Sequence, residues 1–464
     1  LLYQICTVRL KIMKKKLVYK FDNNFIFRVE FFGGILFNRD TFITYELTKE
    51  HTKYLLLLYE FGKITADECS SLDKNEISVF IAQIKKLNIF NINAGINAHS
   101  YYYNPDELLS CIYSFWSNGK RHLSFPLQIA FYPSLECNLR CKFCFMKDKL
   151  LKHDKSADEN IKSLIKLIRE ADESGVMSFS ILGGEPFLFG DILRLFEECE
   201  KRKIRTSVTT NGTLISNDAL EFLKKSDYII PVISLQSVNE KNKELMGIDS
   251  NKIIKTLDLL FSNSVQFAVN TVYFNQSYKD LENMLIFLEK YNIKKFTIAV
   301  FVKTKSKYNS VKEDFLKIKN LKEDLYKFIV KNNLKINLKI EGCMLYFAYD
   351  YLAYNDIKVS NIQKLEYGCE VGQTKLEILS NGVISGCPAH THLDKNTNNV
   401  FKKTIKYVWN NNKDLEYYRN LKNKDPRCDN CKLNLFCNGG CPAERIKQQK
   451  TLNIENRRDD RCQF

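Results

Sequence analysis

The sequence predicts an α/β fold: a parallel sheet with crossover helices, preceded by a small mixed domain and followed by a cysteine-rich segment. Three observations predict it. Between 127 and about 340, short apolar runs alternate with helical patterns, the signature of strand–helix–strand units. Ahead of that region, short strand-like runs give way to helical spacing. Behind it, cysteines recur at metal-ligand spacings rather than at random.

Residues 13–110 come first. Lys16–Lys20 and Phe25–Phe37 read as extended runs, the second containing Phe31-Phe32-Gly33-Gly34-Ile35-Leu36-Phe37. Helical patterns follow at Lys49–Tyr59, which carries Leu55 to Leu58, and at Thr65–Ser71, with Thr65 as N-cap. Lys74–Leu87 places Ile77, Phe80, Ile81 and Ile84 at helical spacing, and Ile89-Phe90-Asn91-Ile92 reads as an extended wing. Strands, short helices and a wing suggest a winged-helix-like domain; a helical lid on a larger enzyme is the alternative. Residues 93–126 read as a linker with one helix, Asp106–Trp116.

The central region, 127–340, yields six strand readings: Leu127–Tyr132, Phe179–Leu182, Thr206–Thr209, Ile229–Leu235, Val265–Val272 and Lys295–Val302. Helices between them include Glu159–Ala171, Leu193–Arg202, Asn217–Lys225 and Leu281–Tyr291. Chemistry-bearing residues fall at the strand ends, where sites in such sheets gather. After the first strand stand Cys137, Cys141 and Cys144 at C-x3-C-x2-C spacing, with Phe143 before the last. Three thiolates can hold three irons of a cubane cluster and leave the fourth open; thiolates select iron–sulfur clusters or zinc. A zinc knuckle needs a fourth ligand, and no cysteine or histidine lies close by in sequence. Gly183-Gly184-Glu185-Pro186 follows the second strand. Its glycines permit close backbone approach, and its carboxylate can neutralise an ammonium. Thr209-Thr210-Asn211-Gly212 ends the third strand, where Asn-Gly by itself is a turn. Ser234-Leu235-Gln236 ends the fourth, and Asn270 lies on the fifth.

The last segment, 343–464, holds Cys369, Cys387, Cys428, Cys431, Cys437, Cys441 and Cys462. Asn381-Gly382 between two apolar runs is a hairpin signal that would bring Cys369 and Cys387 together. Zinc and iron–sulfur clusters both suit these spacings. Cys6, Cys69, Cys111 and Cys199 sit in apolar or helical contexts and read as inert core thiols.

Bulk properties narrow the function. At 464 residues the chain exceeds one comfortable core. A hydrophobic content of 45% suits a soluble protein, and no apolar run is long enough for a membrane helix. A mildly apolar stretch, Leu1–Ile12, precedes Met13-Lys14-Lys15-Lys16, the reverse of the order in a secretory signal, and Met13 is the expected natural start. The net charge of +16 comes from lysines scattered throughout, without a basic stripe interleaved with aromatics, so no nucleic-acid partner is expected. Fifteen cysteines in so long a chain argue for metal in a reducing cytoplasm rather than a disulfide scaffold.

The cysteine loop resembles the signature of the radical S-adenosylmethionine (radical SAM) enzymes. The resemblance implies a partial (β/α)6 barrel and a [4Fe-4S] cluster on Cys137, Cys141 and Cys144. Its open iron would bind the amino and carboxylate groups of S-adenosylmethionine (SAM). Reductive cleavage would then give a 5′-deoxyadenosyl radical that abstracts hydrogen from a substrate. It further implies that Gly183, Gly184, Glu185 and Pro186 hold the methionine amino group, that Thr210 and Asn211 line the SAM pocket, and that Ser234 and Asn270 touch SAM. It singles out no catalytic side chain. Relatives often carry an acid where Gln236 stands and an arginine where Met246 precedes Gly247.

The second array is similar to the SPASM extension of peptide-maturing members. This implies one auxiliary [4Fe-4S] cluster on Cys428, Cys431, Cys437 and Cys462, and another on Cys369, Cys387 and Cys441, three clusters in all. The nearer auxiliary cluster lacks a fourth ligand. Cys343 is the first candidate, with His390, His392 or an open iron as alternatives; an open iron would bind a substrate thiolate and favour carbon–sulfur bond formation. Sulfatase-maturing relatives have an aspartate after the hairpin cysteine, whereas Pro388 follows Cys387 here. Glu30-Phe31-Phe32-Gly33-Gly34-Ile35-Leu36-Phe37-Asn38 and the helices after it are similar to PqqD-like domains, which bind a leader peptide as an added edge strand. The expectation is a cytoplasmic maturase of a ribosomally made precursor peptide, served by an external donor such as flavodoxin or ferredoxin. A maturase of a protein substrate and a zinc-binding winged-helix module are the alternatives.

Overall fold

The computed structural model describes residues 18–21, 24–61, 74–87, 105–119, 121–147, 150–152, 154, 160–293, 295–301, 315–342, 360–362, 365, 368–385, 387, 399–420, 425–431, 434–442, 445 and 462. They fall into two compact units.

One unit gathers the described residues up to Phe125 with Ala171–Met177 and Ser360–Ile362. Its sheet is antiparallel, in the order β1 (Val18–Lys20), β2 (Phe25–Glu30), β3 (Gly33–Asn38), β4 (Thr44–Leu47). The run read as one strand over Phe25–Phe37 is a hairpin, reversing at Phe31-Phe32. Gly33 permits the reversal: its φ is +144°, and a Cβ there would lie 2.2 Å from the Leu47 carbonyl oxygen. Strand β4, Thr-Tyr-Glu-Leu, is too short to announce itself in sequence. Helices α1 (Lys49–Phe61), α2 (Lys74–Lys86) and α3 (Pro105–Ser117) follow. Phe27, Leu36, Tyr54, Leu55, Phe80 and Leu108 share one core. Arg28 and Glu30 are both fully buried. Arg28 also donates to the Gly175 and Phe125 carbonyls, and Glu30 accepts from the Ser124 amide and hydroxyl. Such partners are what make a buried ion pair tolerable. The helix expected at Thr65–Ser71 and the wing at Ile89–Ile92 lie outside the described residues.

The other unit is built on a nine-stranded sheet. It contains β5 (Gln128–Phe131), β6 (Ser178–Ile181), β7 (Arg205–Thr210), β8 (Ile229–Ser234), β9 (Ala268–Tyr273), β10 (Phe296–Val300), β11 (Leu338–Glu341), β12 (Lys375–Ile378) and β13 (Ile384–Ser385). The order is β11-β10-β9-β8-β7-β6-β5-β12-β13, parallel throughout except for the final β12–β13 hairpin. Intervening helices are α4 (Ile161–Glu173), α5 (Ile192–Lys201), α6 (Asn217–Lys225), α7 (Glu240–Met246), α8 (Ser250–Ser262), α9 (Tyr278–Glu289) and α10 (Phe315–Lys331). After the hairpin come α11 (Ile405–Asn411), α12 (Lys413–Asn420) and α13 (Asn434–Cys437). The six strands read from sequence are all present, with ends shifted by up to three residues; β11 was not foreseen.

Strand register positions the site. Ile129, Phe131, Phe179, Ile181, Val208, Ile233, Val269 and Ile298 form the apolar phase of the sheet and are fully buried. The opposite phase carries Ser178, Ser180, Ser207, Thr209, Ser234, Asn270 and Thr297, which are small, polar and only half-buried. Because side chains alternate along each strand, this second phase presents a row of hydroxyls and amides on one face. Gln128, Ser180 and Ser207 are joined side chain to side chain across three strands, at 2.9 and 3.0 Å.

Candidate active site

The chain leaving β5 forms the cysteine loop. The Lys142 amide donates to the Leu245 carbonyl at 2.9 Å, which ties the loop to the end of α7. Gly247, with φ +78°, caps that helix. Met246, just before that glycine, is buried, and its carbonyl lies 4.0 Å from the Cys141 thiol. The Leu139 amide points at Cys137 Sγ, 3.4 Å away. Asn138, between the first two cysteines, accepts from Asn211 Nδ2 and donates to Thr213 Oγ1, both at 2.8 Å. Asn211 Oδ1 in turn accepts the Thr213 amide and hydroxyl. The side chain of Asn211 is thus spent on holding the loop.

Burial pushes all three thiols upward, and Cys141, with Cys144 and Cys137 adding their charge, rises to about 12. Three neighbouring sulfurs cannot all ionise here without a strongly positive partner, which iron or zinc would supply. Among the described residues no three Cys, His, Asp or Glu side chains close on a common point as one metal ion requires. The Cys144 and Cys137 thiols both act on Cys141, so the three sulfurs form one electrostatic group.

Gly183-Gly184-Glu185-Pro186 lies directly alongside this loop. The Gly184 amide donates to Ser134 O at 3.0 Å, and the Glu185 amide donates to Glu136 O at 2.6 Å. A Cβ on Gly184 would fall 1.8 Å from Glu136 O, and one on Gly183 2.5 Å from Ser134 O. The paired glycines are therefore required for two backbone segments to touch. Glu185 is 1% exposed and accepts from Thr210 Oγ1 (2.6 Å), the Asn211 amide (2.8 Å) and the Phe187 amide (3.1 Å). Burial nevertheless raises its pKa, so these donors do not fully replace water. A cation beside it would.

Ser234, the last residue of β8, is the register partner of Asn270 within β9. Asn270 Oδ1 is buried without a hydrogen-bond partner, an acceptor awaiting a donor. Gln236, in contrast, is fully engaged. Its Oε1 accepts from Thr271 Oγ1 (3.0 Å) and the Val272 amide (2.8 Å), its amide donates to Asn242 Oδ1, and Gln276 Nε2 reaches its carbonyl. It locks β8 to β9.

In the second array, Asn381-Gly382 makes the expected hairpin, with Gly382 at φ +77° and Glu377 opposite Ser385. Cys369 and Cys387 are half-buried, whereas Cys428, Cys437 and Cys441 are buried. Asp425 caps the turn Pro426–Cys428, the Cys431 amide donates to Cys428 O, and the Gly440 amide donates to Cys437 O. Local turns therefore present Cys428 to Cys441, and none of the described cysteines is in a disulfide. Cys343, Pro388, His390, His392, Cys6 and Cys69 lie outside the described residues. Cys111 is buried in the apolar core of the first unit, and Cys199 is fully buried beside Thr206.

Residues 131–288 match the radical SAM superfamily, and residues 369–432 match the SPASM iron–sulfur cluster-binding domain. A crystal structure of Streptococcus suis SuiB bound to the precursor peptide SuiA is similar over 96% of this chain and all of that one, at 33% identity and a TM-score of 0.80. The chain belongs to the radical SAM superfamily. Other similar radical SAM proteins include the cyclopropyl synthase TigE of Paramaledivibacter caminithermalis, 25% identical over 91% of this chain and 87% of that protein. The cysteine-type anaerobic sulfatase-maturating enzyme of Clostridium perfringens is 26% identical over 68% and 89%. Sequence reasoning missed Asn138 and Thr213, because polar residues inside a loop carry no periodic signal. It also missed Tyr132 and Glu377, whose meeting depends on β12 lying beside β5.

Proposed function

We propose that the protein is a radical SAM maturase that modifies a ribosomally made precursor peptide. The observation that carries the site is the three-thiol loop braced against Gly184, Glu185 and Asn211, with the acceptor of Asn270 left open on the polar face of the sheet. Cys137, Cys141 and Cys144 hold a [4Fe-4S] cluster. Glu185, flanked by Gly183, Gly184 and Pro186, receives the SAM ammonium; Thr210 fixes that carboxylate and Asn211 fixes the loop. Ser234 and Asn270 take hydrogen bonds from the remainder of SAM. When bound, cluster and SAM supply a 5′-deoxyadenosyl radical for hydrogen abstraction; the chain's residues orient them and exclude water.

Two auxiliary [4Fe-4S] clusters complete the assignment, one on Cys428, Cys431, Cys437 and Cys462 and one on Cys369, Cys387 and Cys441 with Cys343 as fourth ligand. Residues 13–110 act as the PqqD-like leader-binding domain, 127–340 as the barrel and 343–464 as the SPASM domain. The leader adds to an edge of the four-stranded sheet. A flavodoxin- or ferredoxin-type protein supplies electrons in the cytoplasm; no described helix is long and apolar enough to cross a membrane. A thioether is one product this reading allows.

Whole-length likeness to SuiB, whose structure holds a precursor peptide, supports a peptide over a protein substrate; likeness to the sulfatase-maturating enzyme covers only 68% of the chain. The test is anaerobic assembly with iron and sulfide, then incubation with SAM, dithionite and each short peptide that the neighbouring genes encode. The expected result is 5′-deoxyadenosine with a mass change in the peptide. Deoxyadenosine with an unchanged peptide would overturn the substrate class, and a colourless zinc protein would overturn the whole reading.

A further inference from the structure

Strand β12 lies parallel to β5, and this pairing brings a charged pair to Tyr132, at the end of β5. Tyr132 is 1% exposed and shares an apolar cluster with Leu135 and Met146, against which Cys144, Leu182 and Leu379 also pack. Its hydroxyl donates to Glu377 Oε2 at 3.1 Å, and Lys375 Nζ stands 3.2 Å from Glu377 Oε1. Lys375 and Glu377 are two apart on one strand and share a face. Across the β12–β13 hairpin Glu377 is the register partner of Ser385, two residues before Cys387, so the charged pair lies beside the strand that leads into that cysteine. Tyr132 thus stands between the two cysteine arrays. A charge pair in this setting costs desolvation that apolar side chains would not incur, so it adds little stability by itself.

We propose that Glu377 and Lys375, braced by Tyr132, set the reduction potential of the auxiliary cluster held by Cys387. The inference rests on the cluster assignment given under the proposed function. Reduction adds one negative charge to a cluster. Glu377 opposes that charge and Lys375 favours it, so each offsets the other, and charge and hydrogen bonding are the protein's levers on such potentials. These are positioning and tuning residues; neither is asked to touch the substrate.

The test is an EPR-monitored redox titration of the assembled full-length protein. Auxiliary signals are identified as those that persist when Cys137, Cys141 and Cys144 are all replaced by alanine. Glu377→Gln raises the midpoint of one auxiliary signal, Lys375→Gln lowers the same one, and Tyr132→Phe moves it less than either. Glu377→Asp and Lys375→Arg keep the charges and the wild-type midpoint. A loosened fold would not give shifts of opposite sign. Equal midpoints in all variants at wild-type iron content, or shifts of one sign, would overturn the tuning role while leaving the cluster assignment intact. Absence of auxiliary clusters from the wild-type protein would overturn both.

Discussion

The loop from Cys137 to Cys144 and the array from Cys369 to Cys462 use cysteine in different ways. The first is contiguous and gripped from several strand ends: Gly184 and Glu185 touch its backbone, Asn211 and Thr213 hold Asn138, and Leu245 receives the Lys142 amide. The second is spread along the chain, and its described parts are local devices, a hairpin at Gly382 and a capped turn at Cys428. A seat gripped on all sides fixes geometry to fractions of an ångström, which cofactor chemistry needs. An array of self-supporting turns can be altered piece by piece. The comparison predicts that damage to the first region stops the chemistry at its origin, whereas damage to the second is confined to later steps.

The largest contrast comes from the cysteines themselves. Cys137→Ala is expected to reduce 5′-deoxyadenosine formation to background, whereas Cys428→Ala largely spares it and stops peptide modification. Deoxyadenosine and peptide mass, measured in one reaction, decide this. Equal loss of deoxyadenosine in both variants would erase the distinction.

Next is Gly184→Ala. Its added carbon has no room beside Glu136 O, and backbone must move. A loss of about 3 kcal/mol in denaturant unfolding of the metal-free chain is expected. Gly190→Ala, with nothing near its Cβ, should cost under about 0.5 kcal/mol. A smaller effect follows for Asn138→Ala, which removes two hydrogen bonds and leaves Asn211 half-satisfied, at about 1–2 kcal/mol. No change in stability would mean the loop is not braced as described.

The smallest effect lies outside both arrays. Arg169 first, then Arg202, hold the Glu198 carboxyl down to about 2 from its ordinary 4.5. A depressed carboxylate stabilises the native state above its unfolded pKa, and that stability fades as pH falls from about 4.5 to about 2. Glu198→Gln should flatten the acid limb of the stability profile modestly, because the group is near solvent. An unchanged acid limb would remove the clamp from the account.

The first region was legible in sequence because its signals are short-range. Ligand spacing, the glycine pair and the apolar strand before them lie in contiguous residues, and Asn381-Gly382 announced its hairpin in the same way. What stayed hidden depends on pairing between distant segments. Tyr132 and Glu377 are 245 positions apart, and nothing local marks β12 as the neighbour of β5. Gln236 stands where relatives often carry an acid, and its hydrogen bonds to Thr271, Val272 and Asn242, which tie the end of β8 to β9, depend on strand pairing that no local pattern marks. The bond between the side chains of Asn211 and Asn138, 73 positions apart, is hidden for the same reason.

The central claim, a site-differentiated cluster on Cys137, Cys141 and Cys144 beside Glu185, is tested most directly by EPR of the dithionite-reduced, anaerobically assembled protein with and without SAM. The account predicts that SAM shifts one cluster signal, that this signal is absent from Cys141→Ala, and that Glu185→Gln weakens the SAM concentration dependence. A spectrum indifferent to SAM, with iron fully incorporated, would contradict it.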